Sequence, residues 1–308
     1  MPDLHTIRLK GEAAHGDRIS GHLFRDLFSV LVDGAERAVR FNIDGQSSAP
    51  GPTPKWLRPA SDFVLVRRPD LDASTFVIEG KPLREALPDR FPLGDKVEEF
   101  DPGRSAIDLF EDALEDAIAG NDDSTRFDPG LAGVCARFGE LLRQGIEEVE
   151  ILNGRTVRVD QLALTRFETL SARAYPKQRV RVAGRLEAIR YSDCRFTLTL
   201  DDGTRLSGTA AGPGQTTLQA QFGKPVVVTG SAVFRPSGKP LRVEADSIEE
   251  SSEVQMKLWS SLPKPLRAPF EVRQLRPHGG ARGIDRLLGT WPGDESEEEI
   301  NVMLASVS

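Results

Sequence analysis

The chain has 308 residues, 39% of them hydrophobic and 28% charged, with a formal charge of -7. That length holds two domains of ordinary size, each with its own core, and the negative balance excludes a surface that is basic all over, so any nucleic-acid contact must sit on a local patch. No apolar run is long enough to cross a membrane, and the start, MPDLHTIRLKGEAAHGD, has neither the apolar core of a secretory signal nor the Arg-rich character of a transit peptide, so the expectation is a cytoplasmic protein with no membrane contact. Cys135 and Cys194 show no CxxC spacing and no neighbouring histidine, and read as small apolar residues.

In chain order, Leu23, Leu27, Val30 and Leu31 fall on one helical face before Gly34, which reads as an interruption. The alternation from Ala38 to Ile43 predicts a strand ending at the turn dipeptide Asp44-Gly45. QSSAPGPTPKW is a loop by composition, and DFVLVRR and STFVIEGKP read as short strands. SAIDLFEDALEDAIAGN predicts a helix, with Ser105 as N-cap, Ile107, Phe110, Leu114 and Ile118 on the apolar face, and Gly120 at the end. A second helix covers DPGLAGVCARFGELLRQG, a hairpin closes at Asn153-Gly154, and a third helix spans about 161–172. Residues 1–173 therefore read as one α+β domain without regular βαβ alternation.

From Tyr175 short strands and turn signals take over, over residues 174–251. Three strands, the short segment QTTLQAQFG and a hairpin closed at RPSG resemble an OB-type barrel, with bends expected at Gly184 and Gly230. After Ser252 regular patterning stops: 252–283 is rich in Pro and Gly, and from Val254 to Gly283 six cations face the single carboxylate of Glu271, which reads as an extended basic linker.

Residue sets that carry out reactions are missing from the pattern. His5, His15, His22 and His278 form no HxH or HExxH motif, GDRISG is not a nucleophile elbow, and GPGQTT lacks the lysine of a phosphate loop. His22 and Asp26, at i, i+4, read as a surface pair supporting their helix. Glu111, Asp112, Glu115 and Asp116 lie opposite the apolar face of their helix, where solvation places charge, and predict no metal site. The expectation is a protein that is not an enzyme and uses no cofactor. The barrel segment carries eleven basic and eight acidic residues, with Arg179, Arg181, Arg185, Arg190 and Arg195 in its first two strands. These five are the candidate nucleic-acid contacts, although the aromatics Tyr191, Phe196, Phe222 and Phe234 suit a core better than a stacking platform. If Arg179, Arg181 and Arg185 share a strand face, they could instead pair with carboxylates of the first domain.

The last segment, 284–308, carries a different signal. Ser296 and Glu299 make a capping box, the carboxylates from Asp294 to Glu299 suit a helix N-terminus, and Ile300, Met303, Leu304 and Val307 form one apolar stripe. A helix of about a dozen residues is marginal alone in water, and Leu287, Leu288 and Trp291 add large apolar groups beyond the linker. The pattern predicts docking on another protein.

The run LLGTWPGDESEEEINVMLASVS resembles the C-terminal segment of bacterial antitoxin-like proteins encoded beside PIN-domain ribonuclease toxins, in which a WPGDE(S/T)xEE(I/L) motif recurs near the chain end; Trp291, Pro292, Gly293, Asp294, Glu295, Glu298 and Glu299 carry the likeness. Residues 1 to about 250 resemble uncharacterised bacterial proteins, which brings no activity with it. The resemblance implies a neutraliser whose tail wraps a PIN-domain toxin and blocks its acidic, magnesium-binding site, with Arg282 or Arg286 reaching toward the toxin's carboxylates. The expected partner contacts are Arg282, Arg286, Leu287, Leu288, Trp291, Pro292, Ile300, Met303 and Leu304. The alternative is a single-stranded nucleic-acid-binding OB protein with an acidic regulatory tail.

Overall fold

The computed structural model describes residues 3–14, 18–49, 51–66, 71–91, 101–190, 194–210 and 214–266. Contacts divide the chain into Met1–Glu271 and Val272–Ser308, and the second unit lies outside the described residues. No helix among the described residues is long and apolar enough to cross a membrane.

The first strand, β1 (Asp3–Lys10), is not among the expected elements, although its residues alternate: His5, Ile7 and Leu9 are buried while Arg8 and Lys10 face solvent. After a 3-10 turn at Glu12–Ala14, α1 runs unbroken from Gly21 to Asp44. This corrects two expectations. Gly34 does not end the helix; it admits the Phe110 ring, which would stand 2.3 Å from a Cβ at that position. The stretch Ala38 to Ile43 is helix and not strand, because burial of Ala35, Ala38, Val39 and Ile43 continues the 3.6-residue period begun at Leu23. Gly45, at φ 76°, is the left-handed C-cap of α1 and its N–H bonds the carbonyl of Phe41, so Asp44-Gly45 closes a helix and not a strand.

The short α2 (Leu57–Ser61) leads into β2 (Phe63–Val66) and β3 (Thr75–Gly80), both as expected, then α3 (Leu83–Ala86). Next comes α4 (Ala106–Ile118), whose N-cap Ser105 forms a full capping box with Asp108. The expected second helix is two short ones, α5 (Pro129–Ala136), capped by Asp128, and α6 (Phe138–Leu142), which meet at Arg137. The hairpin β4 (Glu148–Leu152) and β5 (Thr156–Asp160) and the helix α7 (Gln161–Ala172) follow the expectation. The five strands form an antiparallel sheet in the order β2-β3-β1-β4-β5. Its inner face, with Ile7, Leu9, Ile78, Val149, Ile151, Val157 and Val159, shares one core with α1, α4, α5, α6 and α7. On the outer face Arg8, Lys10 and Arg158 surround Glu150 at 3.4, 2.7 and 3.3 Å.

The second sheet is a closed barrel of β6 (Gln178–Arg190), β7 (Arg195–Thr199), β8 (Arg205–Thr209), β9 (Pro225–Phe234) and β10 (Pro240–Glu250), with α8 (Gly214–Gln221) between β8 and β9. Its order is β10-β8-β7-β6-β9, and the short parallel pair of β10 with β8 joins with the β9–β10 ladder to complete the ring. Alternate residues fill it: Val182, Leu186, Phe196, Leu198, Leu206, Val228, Phe234 and Val243 among others. Gly230 is required where β9 crosses β10 most closely, since a Cβ there would lie 2.0 Å from the carbonyl oxygen of Glu244. The linker expectation fails at its start. Ser252 caps a further helix, α9 (Glu253–Trp259), through a capping box with Gln255, and α9 packs on β6 and β9.

Candidate functional site

Two places gather chemistry among the described residues. The first lies under α4. His5, on the central strand β1, is fully buried, and its Nδ1 stands 2.6 Å from Oε1 of Glu111, itself 1% exposed. The Ser105 hydroxyl stands 3.4 Å from Nε2 of the same ring. Asp108 accepts from Ser105 Oγ at 2.7 Å and from Asn153 Nδ2 at 2.9 Å. Two guanidiniums cap this group: Arg104 holds Asp112 through two bonds of 2.7 and 2.9 Å, and Arg155 reaches Asp112 and Glu115, both at 2.6 Å, and Glu111 at 3.6 Å. Burial pushes the Asp112 carboxyl up, but Arg104 and Arg155 together outweigh it and hold the group below the usual carboxylate range.

The carboxylates of α4 are thus not the solvated face their spacing suggests. Glu111 and Asp112 are buried because cations meet them, Arg104 from the loop just before the helix and Arg155 from the distant β4–β5 turn, while the buried Asp108 carboxylate is held by Ser105 and Asn153. His5, Asp108 and Glu111 can bring ligand atoms within 4.8 Å of one another. In the geometry present, the imidazole is bonded to Glu111, Asp108 is engaged by the helix cap, and the arginines bring positive charge. Ser105, His5 and Glu111 also have the connectivity of a nucleophile, base and orienting acid. Yet Ser105 has no exposed surface, its hydroxyl caps α4, and Gly80 is packed so closely that a Cβ there would lie 2.7 Å from Oγ. The arrangement clamps α4 to the sheet; it offers a reactant no open surface at the serine.

The second place is the seam between the helices and the barrel. Arg242 at the start of β10, 5% exposed, is 3.4 Å from Asp128 and 3.0 Å from Glu244, with its guanidinium 6.0 Å from the Phe41 ring. Asp128 also accepts from the hydroxyl and backbone N–H of Ser47 at 2.5 and 3.0 Å while capping α5. Arg235 donates to the Asp123 carbonyl at 2.9 Å, the Ser237 N–H to the Asp122 carbonyl at 3.1 Å, and Lys239 pairs with the Asp123 carboxylate. Arg195 on β7 donates to the Asn42 carbonyl at 3.2 Å, and Gly45 lies against Arg195 and the buried Thr209 of β8. Phe41, Val233 and Leu241 form one apolar cluster of the seam, and Phe127, Pro129, Ala132 and Leu170 line a pocket with Phe234 and Pro236. Sequence reading missed this place; the one signal was the run of isolated carboxylates, Asp122, Asp123 and Asp128, between two helices.

Of the predicted nucleic-acid contacts, Arg179, Arg181 and Arg185 do share the exposed outer face of β6. They do not pair with the α+β region as the alternative expectation had it. Arg179 meets Asp246 at 3.0 Å, Arg181 stands 5.4 Å from the Trp259 ring of α9, and Arg185 donates to the Gly223 carbonyl at 3.0 Å. Arg190 ends β6 opposite Arg195 in the ladder, and Arg195 turns to the seam. Asp26 bonds Arg25 and Gln144, both at 2.8 Å, and not His22. Cys135 is buried, which pushes its thiol up to about 12, and Cys194 is half-buried at φ 54°. Arg282, Arg286, Leu287, Leu288, Trp291, Pro292, Ile300, Met303 and Leu304 lie outside the described residues.

The class these observations define is an α+β protein with a closed five-stranded barrel seated on its helices. No protein-family model matches the chain, and no curated protein matches it.

Proposed function

We propose that the chain is a cytoplasmic antitoxin that is not an enzyme, and that it binds and neutralises a PIN-domain ribonuclease through residues 284–308. The observation that carries this reading is the segment from Trp291 to Val307, where the WPGDESEEE run precedes a capped stripe of Ile300, Met303, Leu304 and Val307. Each fully buried aliphatic or aromatic side chain contributes about 1.5–3 kcal/mol to such a contact before ordering costs are subtracted. The cations Arg282 and Arg286 precede Trp291 and suit the carboxylates of a magnesium-binding nuclease site. Among the described residues the group Ser105, His5 and Glu111 is enclosed and engaged in holding α4.

We further propose that the barrel is of the OB type. A helix between its third and fourth strands and a parallel pairing of its third and fifth support this. OB barrels bind oligonucleotides on the face of strands 2 and 3 and the neighbouring loops. In this chain the corresponding end of β7 and β8 and the β9–β10 turn touch the α+β region, which disfavours the rival reading of a constitutive single-strand binder.

Deleting residues 284–308 tests the proposal. With a PIN-domain ribonuclease as partner, the truncated protein is expected to unfold at the same denaturant concentration as the full chain while losing binding and inhibition at least a hundredfold, about 2.7 kcal/mol or more. Inhibition by the truncated protein at full strength contradicts the assignment.

A further inference from the structure

We propose that the buried group under α4 is a structural zinc site, in which His5, Asp108 and Glu111 supply the protein ligands and the ion ties β1 to α4. The proposal goes beyond the antitoxin reading and does not depend on it.

Among the described residues, His5, Asp108 and Glu111 bring one ligand atom each to within 4.8 Å of the others, and all three are buried. Two elements place them there. Asp108 and Glu111 stand one turn apart on α4 and share a face of that helix, which meets His5 on the central strand β1. Tetrahedral ligands with bonds of about 2.1 Å stand about 3.4 Å apart, so closing on an ion requires shifts of about an ångström. The proton between Nδ1 of His5 and Oε1 of Glu111, 2.6 Å apart, holds the position that a metal between the two would take, and its release accompanies binding.

The second observation is on Glu111. Its Oε2 is buried with no hydrogen-bond partner, and Nε of Arg155, at 3.6 Å, is too far to be one. Arg104 and Arg155 instead make their short bonds to Asp112 and Glu115, whose charges they offset. A carboxylate only 1% exposed with one oxygen unpartnered is costly in a protein interior, and a coordinated cation removes that cost. The outer contacts are also those that orient metal ligands. Asp108 accepts from the N–H and hydroxyl of Ser105 at 2.8 and 2.7 Å and from Asn153 at 2.9 Å, which fixes the direction of its oxygens. One imidazole with two carboxylates is a donor set of zinc, whereas magnesium and calcium take oxygen ligands.

The group is enclosed, so the ion has to be offered as the chain folds. The untagged full chain, stripped with EDTA in urea, is refolded with zinc, with magnesium or with neither, and excess metal is removed by gel filtration. About one zinc per chain is expected to stay and to raise the urea midpoint above that of the metal-free chain, while magnesium changes nothing. X-ray absorption at the zinc edge is expected to show a single imidazole and otherwise oxygen. Glu111→Gln keeps an acceptor beside His5 and is expected to weaken zinc binding by about a hundredfold or more. His22→Gln, at the exposed histidine of α1, is expected to leave binding unchanged. No retained zinc, retention at full strength by Glu111→Gln, or sulfur or a second imidazole at the ion overturns the proposal. If Glu111→Gln lacks a cooperative unfolding transition, the absorption spectrum of the wild type decides.

Discussion

Replacing Glu111 with alanine is expected to lower the unfolding free energy by about 3 kcal/mol, because it strips a buried imidazole of its partner and leaves that donor unsatisfied. Nothing nearby can rescue it by solvation: His5 is fully buried on the central strand and its Nδ1 meets Glu111 at 2.6 Å. The loss spreads to Arg155, which reaches Glu111, Asp112 and Glu115 from the β4–β5 turn and so ties that hairpin to α4. Arg155 is one-third exposed and water offsets part of its loss, so most of the effect comes from the histidine. Glu111→Gln keeps an acceptor in place and is expected to cost only about 1 kcal/mol. Urea unfolding of the wild type and the two variants checks both; an alanine variant as stable as the wild type would show that the His5 contact contributes nothing.

Arg242→Ala is expected to cost more, about 3–5 kcal/mol, the range for breaking a buried ion pair by removing one partner. Arg242 and Asp128 expose only 6% and 5% of their side chains, and Glu244 is left facing the same space. The guanidinium also packs over Phe41, so the substitution empties volume at the junction of α1 and the barrel. Arg242→Met refills that volume but leaves Asp128 and Glu244 without their cation as alanine does, so it is expected to recover only the part of the loss that comes from the emptied space. Calorimetry distinguishes the sources. If alanine and methionine are equally destabilised, the ionic contribution dominates; if the wild type and Arg242→Ala unfold together, the seam does not depend on this residue.

Local patterns in the sequence were enough for elements whose burial follows from near neighbours. Ser105 capping α4, the Asn153-Gly154 turn and the strand alternations around Phe63 and Thr75 were all legible, since each depends on residues within a few positions. The misreadings share one physical cause. Gly34 reads as a breaker until Phe110, 76 positions later in the chain, is seen to need its empty Cβ site. Glu111 and Asp112 read as solvated until Arg155, some forty residues later in the chain, is brought over them by the fold. His5 gave no motif because its partners stand about a hundred residues away, at 105 and 111. The basic stripe of β6 was legible as a shared face, but its partners, Asp246, Trp259 and Gly223, all come from later segments of the chain.

Residues 284–308 are the part of the chain proposed to take hold of a nuclease. Hydrogen exchange measured on the full chain, alone and with a PIN-domain ribonuclease added in excess, tests it most directly. Fast exchange is expected across Ile300 to Val307 in the free protein, with at least tenfold slowing there in the complex, while β1 and the barrel strands stay unchanged. Slow exchange in the free protein, or protection by the nuclease that falls on the barrel and not on this segment, contradicts it.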